Sequence, residues 1–334
     1  MRVGVPEYQA REMTNAFEVF ALGRLGSTLS DVVERVTGRP AQTLASFLRH
    51  NRALLRAQAV PLVAVLPASG KLGVSCLRAL EGSAAVRVRA ICRDASKVDA
   101  IASAFPGLES CKCADMMDPE ALDAALADVD YAFVATPSTE LRVALGLNAV
   151  NACSKTQVSH VVFVSALAAP GSDVDAEYIA MEKTLEACEI GFTVIQCGLL
   201  AESVAALAVD GATLYGLQGA RASGVCIRDV GRAAAQVLAQ PWLFEGAKLA
   251  ITGPEAAEWE DVAYALGLAL RREMHAKELP ANELAAVVEA HCGSRVVASA
   301  FVAQAQACGE PSPTLGHLVV DPAHWRKAFA DADL

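Results

Sequence analysis

The chain has 334 residues, of which 54% are apolar and 20% charged, and its formal net charge is −10. This composition supports a large buried core and excludes a disordered or collagen-like chain. The acidic balance disfavours nonspecific binding to nucleic acids or anionic membranes, which requires a basic surface. At about 150 residues per domain, the length predicts roughly two domains.

Residues 1–58 precede the first predicted strand and are expected to be helical. The helical segments are Tyr8–Leu22, Leu29–Thr37 and Ala41–Arg56.

From residue 59 to residue 200, short apolar runs alternate with helical patterns. The predicted strands are Val60–Leu66, Val86–Cys92, Cys111–Ala114, Asp130–Ala135, His160–Ser165 and Phe192–Cys197. The predicted helices are Val74–Leu80, Ser96–Phe105, Pro119–Leu126 (capped by Asp118), Glu140–Ser154 and Ala176–Glu189. Six strands joined by helices predict an α/β fold with a doubly wound parallel sheet of the Rossmann type.

Residues 201–334 predict a smaller α+β lobe that contacts substrate or another protein. Its predicted strands are Val225–Arg228, Lys248–Thr252 and Met274–Leu279. Its predicted helices are Asp229–Gln240, Trp259–Arg271 and Glu283–Cys308, the last with a break near Gly293, and a mixed tail follows over Pro311–Leu334.

The ten cysteines predict a reducing environment. The closest pair is Cys111 and Cys113, no Cys-x-x-Cys occurs, and several cysteines lie inside apolar runs. Such residues are typical of small buried side chains rather than of disulfides or metal ligands. We therefore expect no metal site, and a cytoplasmic location or, if a transit peptide has been removed, an organelle stroma or matrix. No apolar run reaches the ~18 residues of a transmembrane segment.

The loop after the first predicted strand has the small residues of a dinucleotide-binding turn. It reads L-P-A-S-G-K-L-G over residues 66–73. Small residues let the backbone approach a pyrophosphate, and the following helix N-terminus offers N–H donors. Pro67 replaces the first glycine of a Gly-x-x-Gly-x-x-Gly spacing and has no N–H. Spacing alone is compatible with dinucleotide binding and with an ordinary strand–helix turn.

Two charged residues follow the second and third predicted strands. A cation such as Arg93 suits the 2′-phosphate of NADP, whereas an acid there would hold the ribose hydroxyls of NAD. The alternative is a solvated arginine at a strand end. Asp115 either meets adenine or caps a turn.

Ser165, Tyr178 and Lys183 are the candidate catalytic residues. Short-chain reductases place a lysine four residues after the tyrosine, where it lowers the tyrosine pKa and assists proton exchange. Here the separation is five residues, about 500° around a helix instead of 400°. The fourth position holds Glu182, a carboxylate that we expect to raise the pKa of Tyr178. A catalytic role and a solvated helix surface are both compatible with this spacing.

Taken together, several segments resemble the NmrA-like family of atypical short-chain dehydrogenase/reductases, in particular its quinone-oxidoreductase and triphenylmethane-reductase-like branch. The segments are A-S-G-K-L-G (68–73), A-I-C-R-D (90–94), A-D-V-D-Y-A-F-V-A-T-P (127–137), S-H-V-V-F-V-S-A-L (159–167) and E-Y-I-A-M-E-K-T-L (177–185). In the second lobe, R-D-V-G-R-A-A-A (228–235) and I-T-G-P-E-A (251–256) also fit. The resemblance covers about residues 60–280.

The resemblance implies NADP(H) rather than NAD(H) as the cofactor. The implied cofactor-binding residues are Ser69, Gly70, Lys71, Leu72 and Gly73 at the pyrophosphate, Arg93 at the 2′-phosphate, Asp115 near adenine, and Thr136 and Pro137 at the nicotinamide ribose. Ser165, Tyr178 and Lys183 are implied to face the reaction site. The sequence departs from the family at Pro67, at Tyr178, where histidine is frequent, and at Gln196 and Ser203, where arginine and asparagine are frequent.

The first fifty residues also resemble the family, but at an unexpected position. Residues 4–12 and 31–44 resemble the C-terminal tail of NmrA-like proteins. A circular permutation or a remnant of a tandem precursor accounts for this, and the alternative is an unrelated helical extension.

Two kinds of function are compatible with these features, and the sequence leaves catalytic activity open. The first is an NADP(H)-dependent reductase that transfers hydride to a quinone or similar electrophile. The second is a degenerate member that serves as a structural or assembly subunit of a larger, organellar complex or as a dinucleotide sensor, with its cofactor retained or lost. The expected partners are accordingly a dinucleotide, a small quinone-like substrate, or other proteins.

Overall fold

The computed structural model describes residues 32–37 and 60–308. Helix α1 (Val32–Thr37) belongs to one compact unit, residues 1–47, and the other described elements belong to a second, residues 48–334. The predicted helices Tyr8–Leu22 and Ala41–Arg56, the tail Pro311–Leu334 and most of the tail-like segments at the N-terminus lie outside the described residues.

Ten strands occur in the described part of the second unit. They are β1 (Leu62–Leu66), β2 (Arg87–Cys92), β3 (Ser110–Cys113), β4 (Tyr131–Ala135), β5 (His160–Ala166), β6 (Gly191–Cys197), β7 (Val209–Asp210), β8 (Thr213–Leu217), β9 (Ala247–Ile251) and β10 (His275–Leu279). Seven form a parallel sheet in the order β3-β2-β1-β4-β5-β6-β9. The strand order reverses between β1 and β4, which is where open α/β sheets bind ligands. The predicted doubly wound parallel sheet is confirmed.

The described part of the second unit also contains ten α-helices, eight of which lie between strands while the last two follow β10. They are α2 (Lys71–Leu80), α3 (Ala95–Ala104), α4 (Pro119–Leu126), α5 (Arg142–Lys155), α6 (Asp173–Ala187), α7 (Ala201–Leu207), α8 (Ile227–Ala239), α9 (Trp259–Leu270), α10 (Ala281–Cys292) and α11 (Arg295–Ala307). The predicted cap of α4 is confirmed, since the Asp118 carboxylate accepts a hydrogen bond from the Ala121 N–H at 3.0 Å.

Both faces of the large sheet are covered by helices, which explains the continuous apolar runs of its central strands. Every residue of β1 and of β4 is buried. Alternate residues of β1 point to opposite faces: Val63 and Val65 pack with α2, α3 and α8, while Ala64 and Leu66 pack with α4, α5 and α6. This arrangement is typical of parallel sheets, because their crossover helices cover both sides.

The large sheet contains one strand more than expected, and it comes from the region assigned to the smaller lobe. The predicted strand Lys248–Thr252 corresponds to β9, which pairs with β6 at the edge of the large sheet. The predicted strand Val225–Arg228 is wrong: Val225 forms only a single bridge to Leu200, and α8 begins at Ile227. Helix α8 then packs on α2. The two helices are so close that a Cβ atom on Gly231 would lie 2.3 Å from Ser75 Oγ.

The remaining elements form the smaller lobe around a three-stranded sheet in the order β10-β8-β7. Its core includes the fully buried Trp259, whose indole N–H donates to the Leu217 carbonyl at 3.1 Å. The predicted break at Gly293 is confirmed, because Gly293 has φ +68° and ends α10 in the left-handed region. Elements α7, β7 and β8 were not predicted.

No described helix combines the length and the hydropathy that crossing a bilayer requires. Within residues 32–37 and 60–308, no three histidine, cysteine, aspartate or glutamate side chains are grouped closely enough to hold a metal ion.

Candidate functional site

A pocket of about 120 Å³ lies where the carboxyl ends of β4, β5 and β6 meet the smaller lobe. Ala135, Ser165 and Cys197 supply the strand ends, and Leu72 comes from the first turn of α2. Helices α7 and α11 contribute the opposite wall. Carboxyl ends of adjacent parallel strands beside a topological switch point are the usual ligand site of this fold class.

The loop between β1 and α2 brings a helix N-terminus close to this pocket. The Ala68 N–H donates to the Ile91 carbonyl at 2.8 Å, which ties the loop to β2. Gly70 is the N-cap of α2 and no side chain caps it. A Cβ atom on Gly73 would lie 2.1 Å from the Pro67 carbonyl oxygen, so only glycine permits this approach of helix and loop. The N–H groups of residues 71–73 are therefore left without side-chain caps at an end of the helix that suits negatively charged groups.

Arg93 and Asp115 lie after β2 and β3, as expected. Arg93 is exposed, and its guanidinium contacts the neighbouring Asp94 carboxylate at 3.4 Å. Asp115 accepts a hydrogen bond from the Met117 N–H at 2.8 Å, which is the turn-capping alternative. Neither residue lines the pocket, and their roles at the adenosine end of a dinucleotide stay predictions.

Ser165 lies in the pocket, but its hydroxyl hydrogen is directed elsewhere. Ser165 Oγ donates to Glu182 Oε1 at 2.5 Å, and both side chains are buried. A serine hydroxyl has one hydrogen and two lone pairs. Toward the pocket, the Ser165 oxygen is therefore available as a hydrogen-bond acceptor in this arrangement.

Glu182 belongs to a charge pair rather than to the tyrosine. Glu182 Oε2 is 2.7 Å from Lys248 Nζ on β9, and Gln196 Nε2 is 3.4 Å from Oε1. Lys248 also contacts Glu186 at 2.8 Å. Burial lowers the pKa of Lys248, but the two carboxylates outweigh it and hold that pKa above its usual value.

Tyr178 lines the pocket and is buried against an arginine. Burial raises the pKa of Tyr178 above its ordinary value of 10, whereas the Thr136 hydroxyl and the Arg142 guanidinium act to lower it. The expectation that Glu182 raises this pKa is wrong, because Glu182 turns toward Ser165 and Lys248. The weak carboxylate contribution to the Tyr178 pKa comes from Glu177 instead.

The structure brings Ser165, Tyr178 and Thr136 to one pocket but leaves Lys183 outside it. Lys183 is exposed on α6 and is absent from the pocket wall. Lys183 lies five residues after Tyr178, a rotation of about one full turn plus 140° around the helix axis. Its side chain therefore lies on a different face of α6 from Tyr178. The implication that Lys183 faces the reaction site is therefore wrong. Pro137 is half-buried directly after Thr136 and is not part of the wall.

Several residues of the site were missed from sequence. Arg142, at the start of α5, is 2% exposed and lies with its guanidinium carbon 5.2 Å from the centre of the Tyr178 ring. Its Nε is 2.9 Å from Glu177 Oε2. Gln304 on α11 donates a hydrogen bond to the Cys197 carbonyl at 3.1 Å, which holds α11 against the end of β6 at the pocket. Arg142 could have been noticed in the sequence as a charged residue on an otherwise apolar helix face. A charged side chain is costly to bury without partners, so its presence there indicates a specific role.

The comparisons with known proteins agree with this geometry. A family model described as NAD(P)H-binding matches residues 68–241, just over half of the chain. An NAD(P)H azoreductase from Xenophilus azovorans is 28% identical over 218 residues, which cover 63% of this chain and 74% of that protein.

Two solved structures share the fold. An NADPH-dependent quinone oxidoreductase from Escherichia coli, complexed with NADPH, has 22% identity and a TM-score of 0.68, covering 80% of this chain and 98% of that one. A triphenylmethane reductase from Citrobacter sp., complexed with NADP(H), has 17% identity and a TM-score of 0.67 over the same shares. The expected NmrA-like fold is confirmed by these neighbours and by NmrA itself. The chain therefore belongs to the NAD(P)H-binding family whose model matches residues 68–241, from the loop after β1 through five of the seven strands of the large sheet.

Proposed function

We propose that this protein is an NADPH-dependent reductase that transfers hydride to a small electrophile of the quinone type. The observation that carries the proposal is the pocket itself, where the open N-terminus of α2 and the Tyr178–Arg142 pair meet at the ends of β4–β6. The azoreductase and quinone-oxidoreductase relatives support the reaction type.

The residues present fit a dinucleotide. The N–H groups of residues 71–73 would hold the pyrophosphate, and the missing side chain at Gly73 lets α2 begin close against the loop. Arg93 would bind the 2′-phosphate, and Thr136 would border the nicotinamide ribose. When bound, the reduced nicotinamide supplies the hydride.

Tyr178 is the residue that we assign to proton supply. Reduction of a quinone by hydride also consumes one proton, and a group that carries a proton at neutral pH must provide it. The raised pKa keeps the phenol of Tyr178 in its protonated form across the physiological range. The half-exposed Glu177 carboxylate lies next to it in sequence and close to solvent.

A titration with NADPH and NADH tests the proposal. Each cofactor is added to the purified chain while thermal unfolding is followed. At 100 times its Kd, a ligand that binds only the native state stabilises it by about 2.7 kcal/mol. We expect NADPH to bind more tightly than NADH, and Arg93→Ala to weaken NADPH at least about tenfold, or 1.4 kcal/mol, without changing NADH. If Arg93→Ala weakened NADPH and NADH binding equally, the role of Arg93 at the 2′-phosphate would be contradicted. If neither cofactor raised the unfolding temperature of the wild type, the proposed reductase would be rejected.

Tyr178→Phe is expected to lower kcat for a quinone by about 100-fold, because general-acid catalysis typically contributes 10²–10⁴. Because the pKa of Tyr178 is raised, the phenol keeps its proton at every pH below that pKa. It loses the proton, and with it the ability to donate, as the pH rises through that pKa. The basic limb of the kcat profile should therefore lie above pH 10, the ordinary tyrosine value. Stopped-flow oxidation of NADPH measures both. Unchanged turnover in Tyr178→Phe would exclude the phenol as the donor.

A second candidate is a dinucleotide-binding protein without turnover, such as a sensor or an assembly subunit. The observation that favours it is the absence of a tyrosine–lysine pair in the pocket, where Lys183 is exposed and the Ser165 hydrogen is bound to Glu182. Binding of NADPH without oxidation by any quinone or azo compound would support this function over the first.

A further inference from the structure

Arg142 is a buried cation in the pocket wall, and one of its guanidinium nitrogens, which carries two N–H donors, is unused. Its side chain is 3% exposed, and Nε and Nη2 both donate to the same Glu177 oxygen. The third nitrogen, Nη1, is buried and has no hydrogen-bond partner among the described residues. A buried donor left unpaired costs about 1–3 kcal/mol, so such a group is typically matched by a bound oxygen.

The surroundings of Arg142 indicate what kind of oxygen fits. Its charge is already partly balanced by Glu177 and by the face of the Tyr178 ring. A full second carboxylate is therefore not needed, and a carbonyl oxygen that gains negative charge during reaction is sufficient. Two other polar groups of the wall are already engaged, because Ser165 donates to Glu182 and Gln304 donates to Cys197.

We propose that Arg142 Nη1 binds an oxygen of the hydride acceptor, and that the pocket thereby selects acceptors with a carbonyl oxygen over hydrocarbon-like acceptors of the same shape. This inference rests on the proposed function, whose site it specifies. Arg142 is then a catalytic residue in the sense that it touches the reacting substrate.

The chemistry gives this contact a larger effect in the transition state than in the ground state. Hydride addition to one carbonyl oxygen of a quinone forms an O–H bond there and moves an electron pair onto the second carbonyl oxygen, and a proton from Tyr178 then forms the O–H bond at that second oxygen. In sum, NADPH, the quinone and one proton give NADP⁺ and the hydroquinone, and solvent returns the proton to the tyrosine. A fixed donor in a site shielded from water stabilises the developing charge.

Binding of a matched pair of probes tests the inference without turnover. The probes are 2,3-dimethyl-1,4-naphthoquinone and 2,3-dimethylnaphthalene, which differ in the two oxygens. The ring positions of this quinone that thiols attack are blocked, so the exposed Cys113 does not add to it. Calorimetry is performed with the NADP⁺-loaded protein and with the protein alone. We expect Arg142→Met to weaken the quinone about tenfold and to leave the hydrocarbon and NADPH unchanged.

Two further variants keep the test decisive. Arg142→Lys preserves the charge next to Glu177 but lacks Nη1, and it should also lose preference for the quinone even if the methionine variant folds poorly. Arg87→Met removes an arginine from an exposed ion pair with Glu109 and should leave binding unchanged. Equal weakening of both probes, or loss of NADPH affinity, would overturn the inference. Quinone binding that depends on Arg142 without any turnover would instead reject the proposed reductase and retain the oxygen site.

Discussion

Gly73→Ala is expected to lower the free energy of unfolding by about 3 kcal/mol and to weaken NADPH binding strongly. The added Cβ would lie 2.1 Å from the Pro67 carbonyl oxygen and 3.0 Å from the Ala68 Cα, both backbone atoms that cannot rotate away. Overpacking at a rigid contact typically costs 1–3 kcal/mol, and sometimes more. The strain is relieved only by moving α2 from the loop, which displaces the N–H groups expected to hold the pyrophosphate.

Urea unfolding and NADPH titration measure the two effects, with Gly107→Ala as the matched control. A Cβ on Gly107 meets nothing within 4 Å, so this variant should remain within about 0.5 kcal/mol of the wild type. If the two alanine variants were equally stable and bound NADPH equally well, the close approach at Gly73 would have no role in either property.

Lys248→Met is expected to destabilise the protein by about 3 kcal/mol, because it leaves the Glu182 carboxylate buried without its counter-charge. In a Glu182→Gln background the same change should cost less than about 1 kcal/mol, since the neutral amide needs no counter-charge. A double-mutant cycle by chemical denaturation should thus give a coupling energy of about 2 kcal/mol.

The Arg87–Glu109 pair is the control for this cycle. Its nitrogen–oxygen distance is 2.8 Å, close to the 2.7 Å of Lys248–Glu182, but both of its side chains are about 40% exposed. Exposed pairs typically contribute below 1 kcal/mol and weaken with salt. A coupling energy at Lys248–Glu182 no larger than at Arg87–Glu109 would show that burial of the carboxylate does not strengthen the pair.

The parts of the fold that sequence predicted well are those governed by local patterns. Continuous apolar runs identified central strands such as β1 and β4, because a sheet covered on both faces buries every residue of such a strand. Asp118 and Gly293 marked helix ends through capping chemistry that involves only neighbouring residues. The seventh strand was assigned to the wrong lobe, because which sheet β9 joins depends on its pairing with β6, more than fifty residues earlier.

The site was predicted less completely, for the same physical reason. The small residues of the loop between β1 and α2 and the positions of Ser165 and Tyr178 were recognisable as sequence motifs. The partners that decide their chemistry come from distant segments: Glu182 reaches Ser165 across 17 residues, and Lys248 reaches Glu182 across 66. Arg142 and Glu177 are 35 residues apart and meet only because α5 and α6 pack side by side.

The placement of β9 has a consequence for any attempt to separate the two parts of this unit. The chain leaves the large sheet after β6, builds α7, β7 and β8, returns through α8 and β9, and leaves again for α9 to α11. The chain therefore passes between the large sheet and the smaller lobe three times: after β6, after β8 and after β9. A fragment ending near residue 200 would lack both the edge strand and helix α8, which packs on α2 and on β4, β5 and β6, and would expose Phe133, Val162 and Ile195 on that face. Any relative motion of the two parts must be accommodated by three chain connections at once, which limits how far the pocket can open.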